Sequence, residues 1–189
     1  MRAFSCVNAF VFGFFVLLTA SAQAGDGPLV RGPAIGSVAA FAVPMVSSED
    51  AQVTLKQLQG PKGTALFFNR SLNWCPYCKN QTQDLIDKAA LLKDAGYGIA
   101  VITYDTPLLL ADYAKKTSPG FPLLSDPESK TIIAWGLLNE KYEPGSFAYG
   151  IPHPMIVVVD TDNRVTAKFA EEGYKERPVL EEVVAALTN

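Results

Sequence analysis

The feature of this chain that most directly implies chemistry is a pair of cysteines separated by two residues. Cys75 and Cys78 lie in the segment Trp74-Cys75-Pro76-Tyr77-Cys78, after an apolar run and at the start of a helix-like pattern. A pair at this spacing can cycle between dithiol and disulfide, because one sulfur attacks a partner and its neighbour closes the ring. The sequence therefore predicts thiol–disulfide redox chemistry and leaves the partner of the sulfur open.

The position of Cys75 indicates which sulfur attacks. An ordinary cysteine has a pKa of about 8.5, so only a small fraction is thiolate at neutral pH. Pro76 suits the first turn of a helix, so we expect Cys75 at the helix N-terminus, where free N–H groups and the helix dipole favour negative charge. A pKa lowered by about two units, about 2.7 kcal/mol, would leave Cys75 largely ionised. Cys78, one turn further and more buried, is then the resolving thiol.

Other uses of a cysteine pair fit this sequence less well. A zinc site needs about four ligands, whereas beyond the N-terminal segment the chain offers two cysteines and His153. Covalent haem usually needs a histidine after the second cysteine, where this chain has Lys79. An inert structural disulfide remains an alternative, although so small a loop constrains little entropy. We therefore expect neither a metal nor a cofactor.

Residues beside the motif are candidates for supporting it. Arg70 precedes the motif and either assists thiolate formation, orients a substrate or lies on the surface. Trp74 is expected to shape the rim of the site. Asn69 ends the apolar run six residues before Cys75 and is expected to form a local hydrogen bond or to help proton transfer.

A second candidate element is the stiff turn Ile151-Pro152-His153-Pro154. His153 is the only histidine of the chain, and it either shuttles protons or stabilises Cys75 as a cation, or lies in a surface loop. Pro154 is predicted to follow a cis peptide bond, which costs X–Pro bonds little. The alternative for Pro154 is an ordinary proline ahead of a strand.

Residues 1–24 have the pattern of a cleavable secretory signal. Arg2 is their only charge, residues 7–18 are apolar, and Ala22-Gln23-Ala24 forms a small-residue cleavage site. The apolar core of roughly a dozen residues is shorter than the ~20 that a spanning helix needs. We therefore expect export, most simply to a bacterial periplasm, with Cys6 removed and no stable membrane anchor after cleavage.

The segment that remains, residues 25–189, has the length of one domain. Without Arg2 it carries 15 basic and 19 acidic residues, a net charge of about −4. No basic patch stands out, which excludes nucleic acid as an expected partner.

Apolar patterning and turn residues predict an alternation of strands and helices. We predict strands at 64–68, 98–104, 155–160 and 165–170, helices at 76–95, 106–116, 127–135 and 177–187, a short edge strand or helical turn at 53–58, an extended piece at 121–126, a hairpin turn at 161–164 and a polar loop at 139–150. Gly96 and Gly98 are expected to stop the first helix. This order favours an α/β fold with a mixed central sheet flanked by helices.

Together these motifs resemble the thioredoxin-like superfamily and, within it, its AhpC/TSA (redoxin, peroxiredoxin-like) branch, over roughly residues 33–188. Trp-Cys-Pro-Tyr-Cys is similar to the active-site motif of the superfamily, and Ile-Pro-His-Pro followed by Met-Ile-Val-Val-Val-Asp is similar to its proline loop and next strand. Leu124-Ser125-Asp126-Pro127 and the segment 101–105 resemble the peroxiredoxin-type insertion. The resemblance implies a thioredoxin-like fold in which Pro154 faces the cysteines and helps to dock the substrate.

The chain departs from typical peroxiredoxins at the positions expected to bind peroxide. Members of that branch carry Thr or Ser three residues before the attacking cysteine and a proline further upstream, where this chain has Leu72 and Phe68. Their later arginine falls about where Pro154 stands. The usual peroxide-binding constellation is therefore not matched.

Three functional hypotheses follow. The first is an exported thiol–disulfide oxidoreductase with antioxidant-type activity, which acts on a protein or small-molecule disulfide and uses an external electron donor. The second is a thiol-dependent peroxidase, in which a hydroperoxide converts Cys75 to a sulfenic acid and Cys78 condenses with it. The third is a non-enzymatic adaptor that docks a partner through the 139–150 loop. The direction of electron flow, the donor and the oligomeric state stay open.

Overall fold

The computed structural model describes residues 28–188, in which seven strands and four α-helices form the framework. The strands are β1 Met45–Ser47, β2 Gln52–Val53, β3 Gly63–Phe68, β4 Tyr97–Thr103, β5 Leu123–Ser125, β6 Met155–Val159 and β7 Val165–Phe169. The α-helices are α1 Pro76–Asp94, α2 Pro107–Thr117, α3 Lys130–Ala134 and α4 Leu180–Thr188. Short 3-10 helices cover Pro28–Val30, Leu55–Leu58 and Pro127–Ser129.

The strands form one mixed sheet in the spatial order β2-β1-β5-β4-β3-β6-β7. Strand β4 is parallel to both β3 and β5, whereas β6 is antiparallel to β3 and β7 is antiparallel to β6. At the other edge, β1 is antiparallel to β5 and β2 to β1. The predicted mixed central sheet with flanking helices is confirmed.

Strand β3 lies at the centre of the sheet and is buried on both faces. Because side chains alternate along a strand, Ala65 and Phe67 join the core beneath α1, α2 and α4. Leu66 and Phe68 join a second core, which contains residues of the 3-10 helix Leu55–Leu58 and of α3. The continuous apolar run that identified this strand in the sequence is thus explained by two separate cores.

Helix α1 begins and ends close to the predicted residues. Cys75 is its N-cap and Pro76 its first residue, and it stops at Asp94. Gly96 then adopts a φ of +94°, the left-handed conformation that glycine supplies after a helix. Gly98, which was expected to share in this stop, instead lies inside β4, where the backbone of Leu58 approaches it closely.

Two predicted helices differ from the structure, each for a local reason. The last helix begins at Leu180 and not at residue 177, because Pro178 disfavours helical geometry at the residue before it. The helix predicted at 127–135 is divided, since Glu128 and Ser129 both have a φ of +56°. Only α3 continues beyond them, and there the Asp126 carboxylate accepts hydrogen bonds from the N–H groups of residues 131 and 132.

Other predictions were partly right or wrong. Strand β1 was not anticipated, and the segment 53–58 divides between the end of β2 and a 3-10 helix. Every peptide bond in residues 28–188 is trans, so the cis bond predicted before Pro154 is wrong. The turn is held instead by the His153 N–H, which donates to the Leu137 carbonyl at 2.6 Å.

The predicted signal segment, residues 1–24, lies outside the described residues. Within residues 28–188, none of the helices combines the length and apolar character required to cross a membrane.

A close backbone approach at Gly98 makes this glycine a sensitive point of the fold. A Cβ there would overlap the Leu58 carbonyl oxygen, and a backbone atom cannot rotate aside. We expect Gly98→Ala to lower the free energy of unfolding by about 3 kcal/mol, measured by denaturant titration. In the control Gly120→Ala, the added Cβ meets nothing within 4 Å and φ is +68°, so about 1 kcal/mol of backbone strain is expected. Equal losses in both variants would contradict the close approach.

Candidate redox site

The two cysteines of the motif form a disulfide in the first turn of α1. Their Cα atoms are 5.3 Å apart, and the exposed fractions of Cys75 and Cys78 are 1% and 0%. The difference in burial expected between them is therefore absent in this oxidised form. In the described part of the chain, no cluster of three or more His, Cys, Asp or Glu side chains is arranged to hold a metal ion.

The sulfur of Cys75 caps the helix that follows it. Its Sγ accepts a hydrogen bond from the Cys78 N–H at 3.3 Å, which satisfies one of the N–H groups that the first turn leaves free. Pro76 needs no such partner, because it has no N–H. The N-terminus of α1 therefore directs its positive end at the reacting sulfurs.

Arg177 contacts the second sulfur and was missed by sequence reasoning, which assigned it to the last helix. Its Nη2 donates to Cys78 Sγ at 3.3 Å. Three further hydrogen bonds fix the guanidinium. Its Nε donates to Gln81 Oε1 at 3.1 Å, and its Nη1 donates to the carbonyls of Tyr174 and Glu176 at 2.8 and 2.7 Å. Burial, with a smaller effect of the nearby Arg70 charge, lowers the pKa of Arg177 to about 10.

Arg70, predicted to support the site, is buried among aromatic rings. Its guanidinium carbon lies 4.7 Å from the ring centroid of Tyr174 and 5.0 Å from that of Trp74. Its Nη2 donates to the Tyr142 hydroxyl at 3.1 Å, while its buried Nε has no hydrogen-bond partner. Within residues 28–188, neither Arg70 nor Arg177 lies within salt-bridge distance of a carboxylate. Arg177 at the Cys78 sulfur and Arg70 against the Trp74 ring are thus cations without carboxylate partners within that distance, and positive charge beside a thiol favours its ionised form.

The 139–150 loop is attached to the motif through Trp74. The indole N–H donates to the Tyr104 hydroxyl at 3.0 Å, and that hydroxyl donates to the Phe147 carbonyl at 2.9 Å. The rings of Trp74 and Phe147 meet edge to face at 5.4 Å. Phe147 is nevertheless 76% exposed, so Trp74 and Phe147 form a partly exposed aromatic pair at the motif, and the rim role of Trp74 stays a prediction.

His153 and Pro154 lie on a neighbouring surface cavity of about 450 Å³, together with Glu140 and Tyr174. The Nε2 of His153 is 3.1 Å from the Glu140 carboxylate. Among the described residues, the hydrogen bonds to sulfur come from the Cys78 N–H and from Arg177, and not from His153. The proton-shuttling role of His153 and the docking role of Pro154 stay predictions.

Asp105 fixes the loop between β3 and α1 and was also missed as a site residue. The buried carboxylate accepts from the Ser71 hydroxyl at 2.7 Å, the Leu72 N–H at 2.6 Å and the Thr103 hydroxyl at 3.1 Å. Burial is the largest influence on the pKa of Asp105 and raises it, against these hydrogen bonds. The topology carries a signal for this residue, because the carboxyl ends of the parallel strands β3 and β4 meet at one edge of the sheet.

Asn69, at the same edge, forms a local hydrogen bond, one of the two roles expected for it. Its Nδ2 donates to the Thr82 hydroxyl of α1 at 3.5 Å, and its buried Oδ1 has no partner. The residue thus links the end of β3 to the second turn of α1, directly beneath the cysteine pair.

Comparisons of sequence and of structure with known proteins point to the same family. The sequence profile of the AhpC/TSA family matches residues 35–168. Peroxiredoxin Bcp of Escherichia coli K12 is 30% identical over 129 residues, which cover 68% of this chain and 80% of that protein. Peroxidoxin BcpB of Mycobacterium tuberculosis has a TM-score of 0.69 at 19% identity, covering 83% of this chain and 96% of that structure.

A second solved structure is the bacterioferritin comigratory protein of Xanthomonas campestris, described with alkyl peroxide reduction activity. It has a TM-score of 0.64 at 21% identity, covering 78% of this chain and 90% of that one. These structural likenesses confirm the thioredoxin-like fold expected from the motifs.

Asp105→Asn tests the carboxylate beneath the loop. One of the donors Ser71, Leu72 or Thr103 would face an amide N–H₂ instead of an acceptor, so we expect a loss of about 1–3 kcal/mol in the free energy of unfolding near pH 7. Because the pKa of Asp105 is raised in the folded state, its charged form costs stability at neutral pH. That cost disappears as the pH falls through the folded pKa towards the unfolded value of about 3.9.

Acidification should therefore favour the wild type over the variant. Denaturant titrations near pH 7 and pH 4 measure this, and the destabilisation by Asp105→Asn should be larger near pH 4. Asp112→Asn, at an exposed position of α2, is the matched control and should show no such change. A destabilisation that shrinks on acidification would contradict the raised pKa.

Proposed function

The chain belongs to the AhpC/TSA family, and from this premise we propose that it is an exported thiol–disulfide oxidoreductase that uses the Cys75–Cys78 couple. Family membership supports a thiol-dependent enzyme, either an oxidoreductase or a peroxidase. The choice between these two rests on the residues before Cys75, and the assignment of the couple rests on the disulfide itself. It closes within the first turn of α1 while Cys75 still caps the helix, so oxidation and reduction need no unwinding of the element that holds both sulfurs.

The chemistry proceeds through a mixed disulfide. In the reduced enzyme, the Cys75 thiolate attacks one sulfur of the substrate disulfide, and the other substrate sulfur leaves as a thiolate. The Cys78 thiolate then attacks Cys75 Sγ, which forms the intramolecular disulfide and releases the second substrate sulfur. An external thiol donor restores the dithiol, and the reverse sequence oxidises a dithiol substrate.

The residues before Cys75 support a disulfide over a peroxide as substrate. Leu72 and Phe68, at the positions where typical peroxiredoxins carry a hydroxyl and a proline, are core side chains. The Ser71 hydroxyl donates to Asp105 and accepts from the N–H groups of residues 73 and 74. Its proton is therefore engaged away from an incoming oxygen, and this loop lacks the usual hydroxyl donor for peroxide.

The second candidate is a thiol-dependent peroxidase, which the names of the relatives favour. In that reaction the Cys75 thiolate attacks one peroxide oxygen and the other leaves as water or an alcohol. Cys78 then attacks the Cys75 sulfenic acid, releasing water and forming the same disulfide. The product on the protein is identical, so only the oxidant distinguishes the two functions.

A direct comparison of oxidants tests the proposal. Reduced protein is mixed in separate stopped-flow experiments with hydrogen peroxide, an alkyl hydroperoxide and insulin as a protein disulfide. We expect turnover of insulin disulfides with dithiothreitol as donor, and peroxide consumption no faster than that of a free thiol. Peroxide consumption many-fold faster than that of a free thiol would reverse the ranking in favour of the peroxidase.

Two cysteine variants define the roles of the sulfurs in the same assay. Cys75→Ser should abolish turnover, whereas Cys78→Ser should accumulate a mixed disulfide at Cys75, visible by mass spectrometry, because the resolving thiol is missing. Accumulation at Cys78 in Cys75→Ser, with none in Cys78→Ser, would assign the attack to the other sulfur.

Export is supported by the pattern of residues 1–24, which has one charge, a short apolar core and Ala22-Gln23-Ala24 before Gly25. Disulfide chemistry suits the oxidising compartment that such a signal addresses.

Cell fractionation tests the export proposal. Expressed in a Gram-negative host, the full chain should appear in the osmotic-shock fraction with Gly25 as its N-terminus. The control Leu17→Arg/Leu18→Arg interrupts the apolar core and should retain the unprocessed chain inside the cell. Recovery of the unaltered chain with an intact residue 1 in the cytoplasmic fraction would contradict export.

A further inference from the structure

Arg177 is the charged side chain that directly touches the redox pair, and no part of the proposed reaction has yet used it. Its Nη2 donates to Cys78 Sγ at 3.3 Å, across a separation of 99 residues in the chain. Three further hydrogen bonds, to Gln81 Oε1 and to the carbonyls of Tyr174 and Glu176, fix the guanidinium in this position. A contact held this firmly is present before any substrate arrives.

We propose that Arg177 stabilises Cys78 as a thiolate and thereby makes Cys78 the leaving group when the Cys75–Cys78 disulfide is reduced. A thiol substrate, as its thiolate, attacks Cys75 Sγ, the bond between the two cysteine sulfurs breaks, and the electron pair passes to Cys78 Sγ beside the guanidinium. A second substrate thiolate then attacks the substrate sulfur of the mixed disulfide and releases Cys75 as a thiolate. The substrate dithiol is oxidised and the protein disulfide is reduced by two electrons.

This assignment gives the couple a direction. A hydrogen bond from a cation is stronger to a thiolate than to a neutral disulfide sulfur, so Arg177 favours the reduced form over the oxidised form. Stabilising the reduced form makes a disulfide a stronger oxidant. The inference rests on the dithiol–disulfide couple of the proposed function and deepens it, because it biases the protein towards accepting electrons from thiols.

Other charges near Cys78 do not replace this contact. Arg70 lies on the loop after β3 and, like Arg177, has no carboxylate within salt-bridge distance among residues 28–188. Glu176 is the residue before Arg177 in the chain. Lys79 follows Cys78 in α1 and lines a separate groove together with Asp112. The Asp105 carboxylate is bound to the loop that precedes Cys75. Of these groups, only Arg177 hydrogen-bonds the sulfur.

Two measurements that need no substrate test the proposal, both in a Cys6→Ser background. In Cys75→Ser protein, thiolate absorbance near 240 nm follows the ionisation of Cys78 alone, and its midpoint should lie well below the ordinary value of about 8.5. Adding Arg177→Gln should raise that midpoint by about one pH unit, a tenfold change in ionisation. In protein with both cysteines, Arg177→Gln should lower the reduction potential measured against glutathione by about 30 mV, the equivalent of tenfold in the equilibrium constant.

Lys79→Gln is the matched control, because it removes one positive charge next to Cys78 without removing a contact to sulfur. Its shifts should be much smaller than those of Arg177→Gln, and equal shifts would overturn the specific role of Arg177. The potential difference between wild type and Arg177→Gln should also vanish at a pH low enough to protonate Cys78, which a purely structural role would not produce.

The test stays decisive if Arg177→Gln does not fold. A Cys78 midpoint at or above about 8.5 in Cys75→Ser protein with Arg177 intact would by itself overturn the proposal. If Arg177→Gln does fold and loses insulin turnover while the Cys78 midpoint and the reduction potential stay unchanged, the assignment of Arg177 is overturned. The oxidoreductase function of the wild type then remains in place. Shifts as expected in a protein that turns over only peroxide would retain the Arg177 assignment and overturn the proposed function.

Discussion

The hydrogen bond from the Cys78 N–H to the Cys75 sulfur joins the start of a helix to the reacting atoms. It exists because Pro76 sets the first turn and leaves Cys75 as the N-cap. The other features of the site depend on the position of that turn. Strand β3, buried between two cores, delivers the chain to this point, and Asn69 links the end of the strand to α1 through Thr82.

Two arginines and one carboxylate carry charge at the site and at the loop that leads to it. Arg70 and Arg177 lie among aromatic rings and backbone carbonyls, where no carboxylate of the described residues neutralises them within salt-bridge distance. The Asp105 carboxylate is occupied by hydrogen bonds to the loop, and burial raises its pKa. The half-buried Arg177 beside the Cys78 sulfur lowers the free energy of a thiolate relative to a thiol, while the carboxylate fixes the loop that leads to Cys75.

Local sequence signals were sufficient for the parts of the site that lie close together in the chain. The apolar run of β3, Pro76 at the helix start and the spacing of the two cysteines each report on a neighbour within a few residues, and the structure agrees with them. Arg177 reaches Cys78 across 99 residues, and no periodicity encodes such a contact. The paired left-handed residues Glu128 and Ser129 were equally invisible, since neither is glycine. Asp105 is an intermediate case. Its position near the loop before Cys75 can be predicted once β3 and β4 are known to be parallel.

The ionisation of Cys75 in the reduced protein is the property on which the proposed chemistry rests. Its most direct measurement is the rate of alkylation by iodoacetamide as a function of pH, with the Cys75 peptide quantified by mass spectrometry. We expect a midpoint at or below neutral pH and, near pH 7, a higher rate than that of an ordinary thiol of pKa about 8.5. A midpoint at or above that ordinary value, or a Cys75 that resists alkylation at neutral pH, would contradict a helix-stabilised nucleophilic thiolate.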